Sequence, residues 1–352
     1  MSRMDEIREN VVIDSWARHF TAGAYKVNKP HETDAEILEV QTCPDHYLAL
    51  TVDTVAEEIA EGLYRDPFTM GWVTVMASLS DLAAVGAEPL GLAVSASVDT
   101  GRDESFIDAA AEGMERACKA AGTSIIGGDV NTTPDVAFTG CALGLVPKGE
   151  LMTRRGCRPG DSVYITGRVG TGNALGLVRL SGMPDELFPE QSYRPQARTR
   201  EARLLRRYAG CCMDTSDGLL ATLDQLMRLN RVGFEIRGRW SDLVDPRVLE
   251  VCAQAKVPAW LTAAGPHGEF ELVLTVSAEQ EPEMLRNVSE NDMTLVKVGL
   301  VHERADIHVR LKSGEEVILD VARMRNLLDE VEGDARRYLT EFLALGKEYG
   351  LD

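Results

Sequence analysis

The sequence predicts an α/β protein of two domains with a helical tail, and three observations carry that prediction. Extended segments rich in β-branched and aromatic residues alternate with amphipathic helical ones along the chain. The 31 glycines fall in short clusters between those segments, which suits tight strand-to-helix turns better than a helical bundle. A length of 352 residues exceeds what one core usually accommodates, and the polar, basic, turn-rich "KGELMTRRGCRPGD" (Lys148–Asp161) stands where a join belongs. The expected boundaries are 1–150, 151–320 and a tail over 321–352.

Taken in order, residues 1–30 read as a helix followed by an irregular arm. "YLALTVDTV" (Tyr47–Val55) is a strand, and "DPFTMGWVTVMASLSDLAAVG" is a long, mostly apolar helix. Leu79, Leu82, Ala83 and Val85 form an apolar face near its end, and Gly86 and Pro89 stop it. A strand over Leu90–Val98, an amphipathic helix over Asp103–Gly122 and the strands "TSIIGGDV" and "DVAFTGCALGLV" complete the first domain. Beyond the join come the strand "SVYITG", the helix "GTGNALGLVRL", a basic helix "RPQARTREARLLRRY" and the strand-turn-helix "CCMDTSDGLLATLDQLMRL". The strands "VGFEIRG", "FELVLTV" and "TLVKVGLV" follow, and the charged tail reads as a solvated amphipathic helix or pair.

With 56 acidic residues against 37 Lys plus Arg, the net charge of −19 argues against a general nucleic-acid binder and against docking on anionic lipid. Small anionic ligands stay open, because a divalent metal or local arginines can reverse the sign of a pocket. The seven cysteines form no C-x-x-C pair and no zinc-like spacing, and adjacent Cys211 and Cys212 read as buried packing residues. The opening residues lack a basic-then-apolar leader, and no apolar run approaches membrane-spanning length, so a reduced, cytoplasmic enzyme is expected. The histidines at 19, 31, 46, 267, 302 and 308 show no H-E-x-x-H spacing and read as surface or hydrogen-bonded residues.

Asp81 stands among small apolar residues in "SLSDLAAVGAEPLG", where a carboxylate needs a partner, a cation or water. Capping is one account of it. It has company, however, at the edges of other apolar elements: Asp34, Asp53, Asp129, and Asp214 with Asp217 in "MDTSDGLL". Oxygen donors scattered over rigid element ends meet the needs of Mg²⁺, which is completed by water and substrate phosphates. "GGD" (Gly127–Asp129) lets backbone approach a bulky anion, and "TSDG" (Thr215–Gly218) opens a helix whose free N–H groups suit phosphate. Arg154, Arg155 and Arg158 crowd in the join, either as phosphate ligands or as surface arginines beside acids. Neither a G-x-G-x-x-G nor a G-x-x-x-x-G-K-[ST] loop occupies a plausible phosphate-binding turn, and Ser216 lacks a G-x-S-x-G context.

"TVDTV", "SLSDLAAVGAEP", "IIGGD", "LMTRRGCRPGDSVYITGRVGTGNALGL", "RPQAR" and "MDTSDGLLATLDQL" occur in an order that resembles the thiamine-monophosphate kinases, over about residues 30–310. These belong to the superfamily of aminoimidazole ribonucleotide (AIR) synthetase. The resemblance implies an AIR synthetase-like fold, with an N-terminal sheet forming a barrel across a homodimer and a C-terminal α/β domain packed on it. It implies ATP and Mg²⁺ as cofactors, with metal ligation by Asp34, Asp53, Asp81, Asp129 and Asp217. It also implies nucleotide contacts from Thr54, Gly127, Gly128, Arg154 and Ser216, with Asp129, Asp217 and Arg154 the residues closest to catalysis.

The reactive cysteine of selenophosphate synthetases, the C-terminal cysteine of the hydrogenase maturation enzymes and the "DGVGTK" signature of the ribonucleotide synthetase are missing. Three motifs also depart from the kinase pattern. "GDD" becomes "ETD" with Thr33 in place of an acid, "GGDTT" loses its following arginine, and "GGEDYEL" becomes "HGEFEL" (His267–Leu272). A paralogue acting on another small acceptor and a non-catalytic nucleotide-binding regulator therefore stand beside the kinase as alternatives.

Overall fold

A computed structural model describes residues 4–21, 23–311 and 314–351. Alternation along one strand organises the first half. In β5 (Ala137–Pro147) Phe138, Gly140, Ala142, Gly144 and Val146 are buried, while the residues between them are half-exposed. β1 (Glu36–Glu39), β2 (His46–Thr54), β3 (Glu88–Val98) and β4 (Ile125–Thr132) join it in the order β1-β2-β5-β3-β4. Only β3 and β4 pair in parallel, because a whole helix connects them.

The buried face of this sheet is covered by the helix Pro67–Ala84, with the helix Glu104–Ala121 beside it. Asp66 caps the first by accepting from the Phe68 amide, and Asp103 caps the second by accepting from Phe106. Gly122 ends the second at φ 71°, in the left-handed region. The first helix is apolar nearly all round, with 15 of its 18 residues buried, as a helix with neighbours on every side must be. The two helices touch through glycines. A Cβ at Gly71 would lie 2.0 Å from the Ala110 carbonyl oxygen, and one at Gly113 2.1 Å from that of Phe68.

Seven strands build the second half: β6 (Ser162–Ile165), β7 (Ala209–Asp214), β8 (Gly233–Ile236), β9 (Leu272–Val276), β10 (Val296–His302), β11 (Ile307–Arg310) and β12 (Glu316–Leu319). Their order is β12-β11-β8-β10-β6-β9-β7, and only β8 and β11 are parallel. The helix Leu219–Asn230 follows β7, and the helix Thr171–Leu180 follows β6. Two mostly antiparallel sheets carrying helices make this an α+β arrangement, which refines the α/β expectation. No described helix is long and apolar enough to cross a membrane.

The elements differ from expectation in four places. The basic segment is helical only over Thr199–Leu205, since Pro195 disfavours helix at the residue before it and "RPQA" has no regular secondary structure. The helices Pro246–Ala255 and Glu281–Glu290 and the β11–β12 hairpin were not anticipated. The tail forms two helices, Val321–Glu330 and Ala335–Glu348, and it is packed rather than solvated: Phe342 lies 5.3 Å from Trp260, centroid to centroid. Cys211 is not a simple packing residue either. Strand alternation turns Cys211 and Cys212 to opposite faces of β7, and the Gly156 turn lays Cys157 alongside Cys211, to which it is joined in a disulfide. Cys212 is buried and free.

Gly71→Ala or Gly113→Ala should force the two helices apart and cost about 1–3 kcal/mol in urea unfolding. Gly127→Ala, which meets nothing within 4 Å, should leave the midpoint unchanged.

Candidate active site

Where the two halves meet, three carboxylates converge. Asp34 precedes β1, Asp81 sits in the last turn of the helix Pro67–Ala84, and Asp214 ends β7. One ligand oxygen from each lies within 4.8 Å of the others. Asp81 therefore caps nothing; it accepts a 2.5 Å hydrogen bond from Thr51 Oγ1 of β2. Asp214, 2% exposed, accepts from Ser80 Oγ at 2.6 Å and from Ser216 Oγ at 3.1 Å. Asp34 pairs with Arg154, whose Nη2 donates to Oδ1 at 2.9 Å. Arg154 is itself held by the Glu32 carbonyl on its amide and by Asn230 on its own carbonyl.

The turn after β7 keeps this arrangement tight. Gly218 has φ 86°, and a Cβ there would meet the Gly265 carbonyl oxygen at 2.2 Å. A Cβ at Gly268 would lie 1.4 Å from the Thr215 carbonyl, so "TSDG" and the "HGEFEL" loop are pressed backbone to backbone. The acids of that loop are already committed. Glu269 accepts from the Gly170 and Gly172 amides at 2.8 and 3.0 Å. Glu271 is gripped by Arg198, whose Nε donates at 2.7 Å, and by Thr166 at 2.6 Å.

Burial first, and then the neighbouring carboxylates, raise the Asp81 and Asp214 carboxyls above the ordinary range. Burial and Asp217 do the same to Asp53. Asp34 Oδ2 is buried without a hydrogen-bond partner. Asp34, Asp53 and Asp81 face a cleft of about 770 Å³ lined by nine carboxylates and two arginines, Arg154 and Arg325, among the described residues, while buried Asp214 does not line it. Close, mutually repelling oxygens with an unpaired member fit a hard divalent cation such as Mg²⁺.

Asp34, Asp53, Thr54, Asp81, Arg154, Ser216 and Asp217 all line this cleft. Asp129, Gly127 and Gly128 do not. Asp129 lies in a cross-strand row, Thr54–Thr139–Ser95–Asp129, on the open face of the first sheet. Three strand spacings put it about 14 Å from Thr54, too far to share an ion with Asp81. A Cβ at Gly128 would meet the Val94 carbonyl at 2.0 Å, so that glycine also answers a packing need. Arg155 turns to Glu32 and the Leu229 carbonyl, and Arg158 is exposed, so the join delivers one arginine to the cleft. Sequence reasoning grouped Asp214 with the other edge aspartates but left it out of the implied metal set, and it did not single out Thr51 or Arg325. Asp214 had a visible signal, two residues before Ser216, but its inward direction depends on the register of β7.

Glu58 gives the cleft a pH signature. Burial raises its carboxyl from 4.5 to about 7, and its Oε2 has no partner. The folded protein holds this proton more tightly than the unfolded chain, so the associated stability is present below pH 4.5 and lost as pH rises to about 7. Glu58→Gln should melt higher than the parent above pH 7 in metal-free buffer, with the difference shrinking towards pH 4.5; equal melting curves at both ends would remove Glu58 from this role.

The family model described as AIR synthase related protein, N-terminal domain, matches residues 32–146, from the segment carrying Asp34 to the end of β5. The chain is 30% identical to the thiamine-monophosphate kinase of Bacillus subtilis (strain 168) over 280 residues, which is 75% of this chain and 83% of that protein. It is 31% identical to the thiamine-monophosphate kinase of Pyrococcus horikoshii over 268 residues, 76% of this chain and 82% of that protein. The crystal structure of tt0281 from Thermus thermophilus superposes with a TM-score of 0.74 at 26% identity, covering 88% of this chain and 98% of that one. This likeness over most of each relative's length establishes that the chain belongs to the thiamine-monophosphate kinase family.

Proposed function

We propose that the chain transfers the γ-phosphoryl group of Mg-ATP to thiamine monophosphate, giving thiamine diphosphate and ADP. The observation that carries this reading is the convergent trio Asp34, Asp81 and Asp214 beside Arg154, in a chain whose family relatives bear that activity's name. Asp53 and Asp217 complete a donor set for Mg²⁺, which when bound neutralises charge on the transferring phosphoryl group. The chain's own groups position. Thr51, Ser80 and Ser216 hold the carboxylates by donating to them, and Arg154 keeps its guanidinium at the cleft wall. An acceptor phosphate oxygen forms the new bond to the γ-phosphorus as the bond to the β-phosphate bridge breaks, so no covalent enzyme intermediate is needed.

The acceptor has a place to lie. Past Glu61, Pro266, His267 and Leu328 the cleft adjoins a second chamber of about 330 Å³, walled by Leu177, Leu261, Tyr338, Leu339 and Phe342. Apolar walls behind a carboxylate rim suit an aromatic acceptor bearing positive charge. The altered "HGEFEL" loop supports a second reading, a different small acceptor on the same ATP chemistry, because Glu269 and Glu271 are both spent on internal bonds.

Asp129 and Gly127 belong, in this proposal, to the nucleotide site of a second copy. The open face of the first sheet exposes Val52 at 64% with Leu143 and Leu145 near it, an apolar surface suited to a homodimer. The proposed use of ATP supports a cytoplasmic setting for the reaction.

Purified protein incubated with ATP, Mg²⁺ and thiamine monophosphate should yield thiamine diphosphate and ADP one for one by chromatography. Tight Mg-ATP binding without product would favour the second reading. Asp81→Asn and Asp214→Asn should each lower turnover on the order of 100-fold or more while raising the melting temperature of the metal-free protein, because each removes a repelling charge. Asp129→Asn should be as inactive with its stability intact. Mixing Asp129→Asn with Asp81→Asn should restore about a quarter of the activity, since random two-fold pairing leaves one site in four complete. No recovery would confine Asp129 to its own chain.

A further inference from the structure

Away from the cleft, the connection from β10 to β11 reads "HERADIH", His302 to His308, and it folds so that its two histidines meet Asp306. His302 closes β10, and His308 lies within β11, paired to Glu235 of β8 on one side and Ile318 of β12 on the other. Asp306 Oδ1 is 3.3 Å from His308 Nδ1 and 3.6 Å from His302 Nε2. The two rings stand 4.5 Å apart, centroid to centroid. One ligand atom from each of the three residues lies within 4.8 Å of the others. None of them lines the acidic cleft.

Hydrogen bonding accounts for the Asp306–His308 contact but not for the place of His302. His302 Nε2 is buried and has no hydrogen-bond partner, and 3.6 Å is too long to count as one. Arg304 holds the other oxygen of Asp306 through its Nε, which leaves Oδ1 facing two imidazole nitrogens. A tetrahedral ion with bonds of about 2.0–2.1 Å sets its donors roughly 3.3–3.4 Å apart, close to the two separations from Asp306 Oδ1.

We propose that His302, Asp306 and His308 form a binding site for a borderline divalent transition-metal ion, Zn²⁺ foremost, with water as the fourth ligand. Two imidazoles and one carboxylate are a donor set that Zn²⁺ takes and that Mg²⁺, which prefers six oxygens, does not. The neighbouring group Glu235, His308 and Glu316 is a poorer competitor, because Arg237 and Arg310 hold both oxygens of Glu235, whereas Arg304 holds only one of Asp306. The bound ion would staple the end of β10 to β11 and so fix the far half of the second sheet.

The full chain, stripped with a chelator and dialysed into millimolar Mg²⁺, should be titrated with Zn²⁺ and, separately, with Co²⁺. Relative to His302→Gln and Asp306→Asn, the parent should retain one further equivalent of Zn²⁺ and show a visible Co²⁺ absorption band that both variants lack. Apparent affinity at this site should fall at least 10–100-fold in the variants, by analogy with losses at metal-supporting positions. Zn²⁺ should raise the melting temperature of the parent alone, while phosphoryl transfer or Mg-ATP binding stays the same in all three. Equal Zn²⁺ stoichiometry in parent and variants, or no Co²⁺ band in the parent, would overturn the assignment. Variants that melt like the metal-free parent exclude misfolding as the cause of lost binding.

Discussion

Mutual repulsion among Asp34, Asp81 and Asp214 is the constraint around which the rest of the molecule is arranged. Each carboxylate comes from a different element, and Asp214 comes from the second sheet, so the cluster exists only when the two halves are docked. Holding it requires a rigid carrier. The helix Pro67–Ala84 serves because it is buried on nearly all sides and locked to its neighbour through Gly71 and Gly113. The hydroxyls of Thr51, Ser80 and Ser216 and the guanidinium of Arg154 lessen the repulsion without removing it. A fold that stores unfavourable charge in this way gives up stability for a place where a cation binds well.

Much of this was legible in the chain. The caps Asp66 and Asp103, the terminating Gly122 and the alternation of β5 are local features, and local features survive packing. The aspartates were legible as a set because each stands at the end of an apolar run. The direction each one faces was not. Asp53 and Thr54 are adjacent yet lie on opposite faces of β2, and only the pairing of Thr54 with Thr139 reveals that Asp129 shares the second face. The tail shows the same limit: its amphipathic pattern was plain, but nothing local says that Trp260 waits for Phe342.

The departures from the family pattern acquire a physical meaning in the structure. "HGEFEL" keeps two acids, yet Glu269 organises the start of the helix Thr171–Leu180 and Glu271 anchors Arg198 of "RPQAR". These are buttresses between motifs far apart in the chain, and Asn173, bonded to both Thr262 and Gly265, adds another. Motif resemblance thus reports a shared scaffold, while the second chamber beside the cleft is lined by Glu61 and by residues of the two tail helices.

Those tail helices bind to the other end of the molecule as well. Arg8 donates to Asp329, 321 residues away, and Asn326 donates to the Glu6 carbonyl. Arg325 reaches the same wall, 3.7 Å from Glu9. The cleft is therefore closed by segments made at widely separated times on the ribosome. Even after the two sheets dock, the aspartate cluster stands with one wall missing, open to solvent and to ions, until the tail is made. The working site is completed by a late docking event, not by the folding of either sheet.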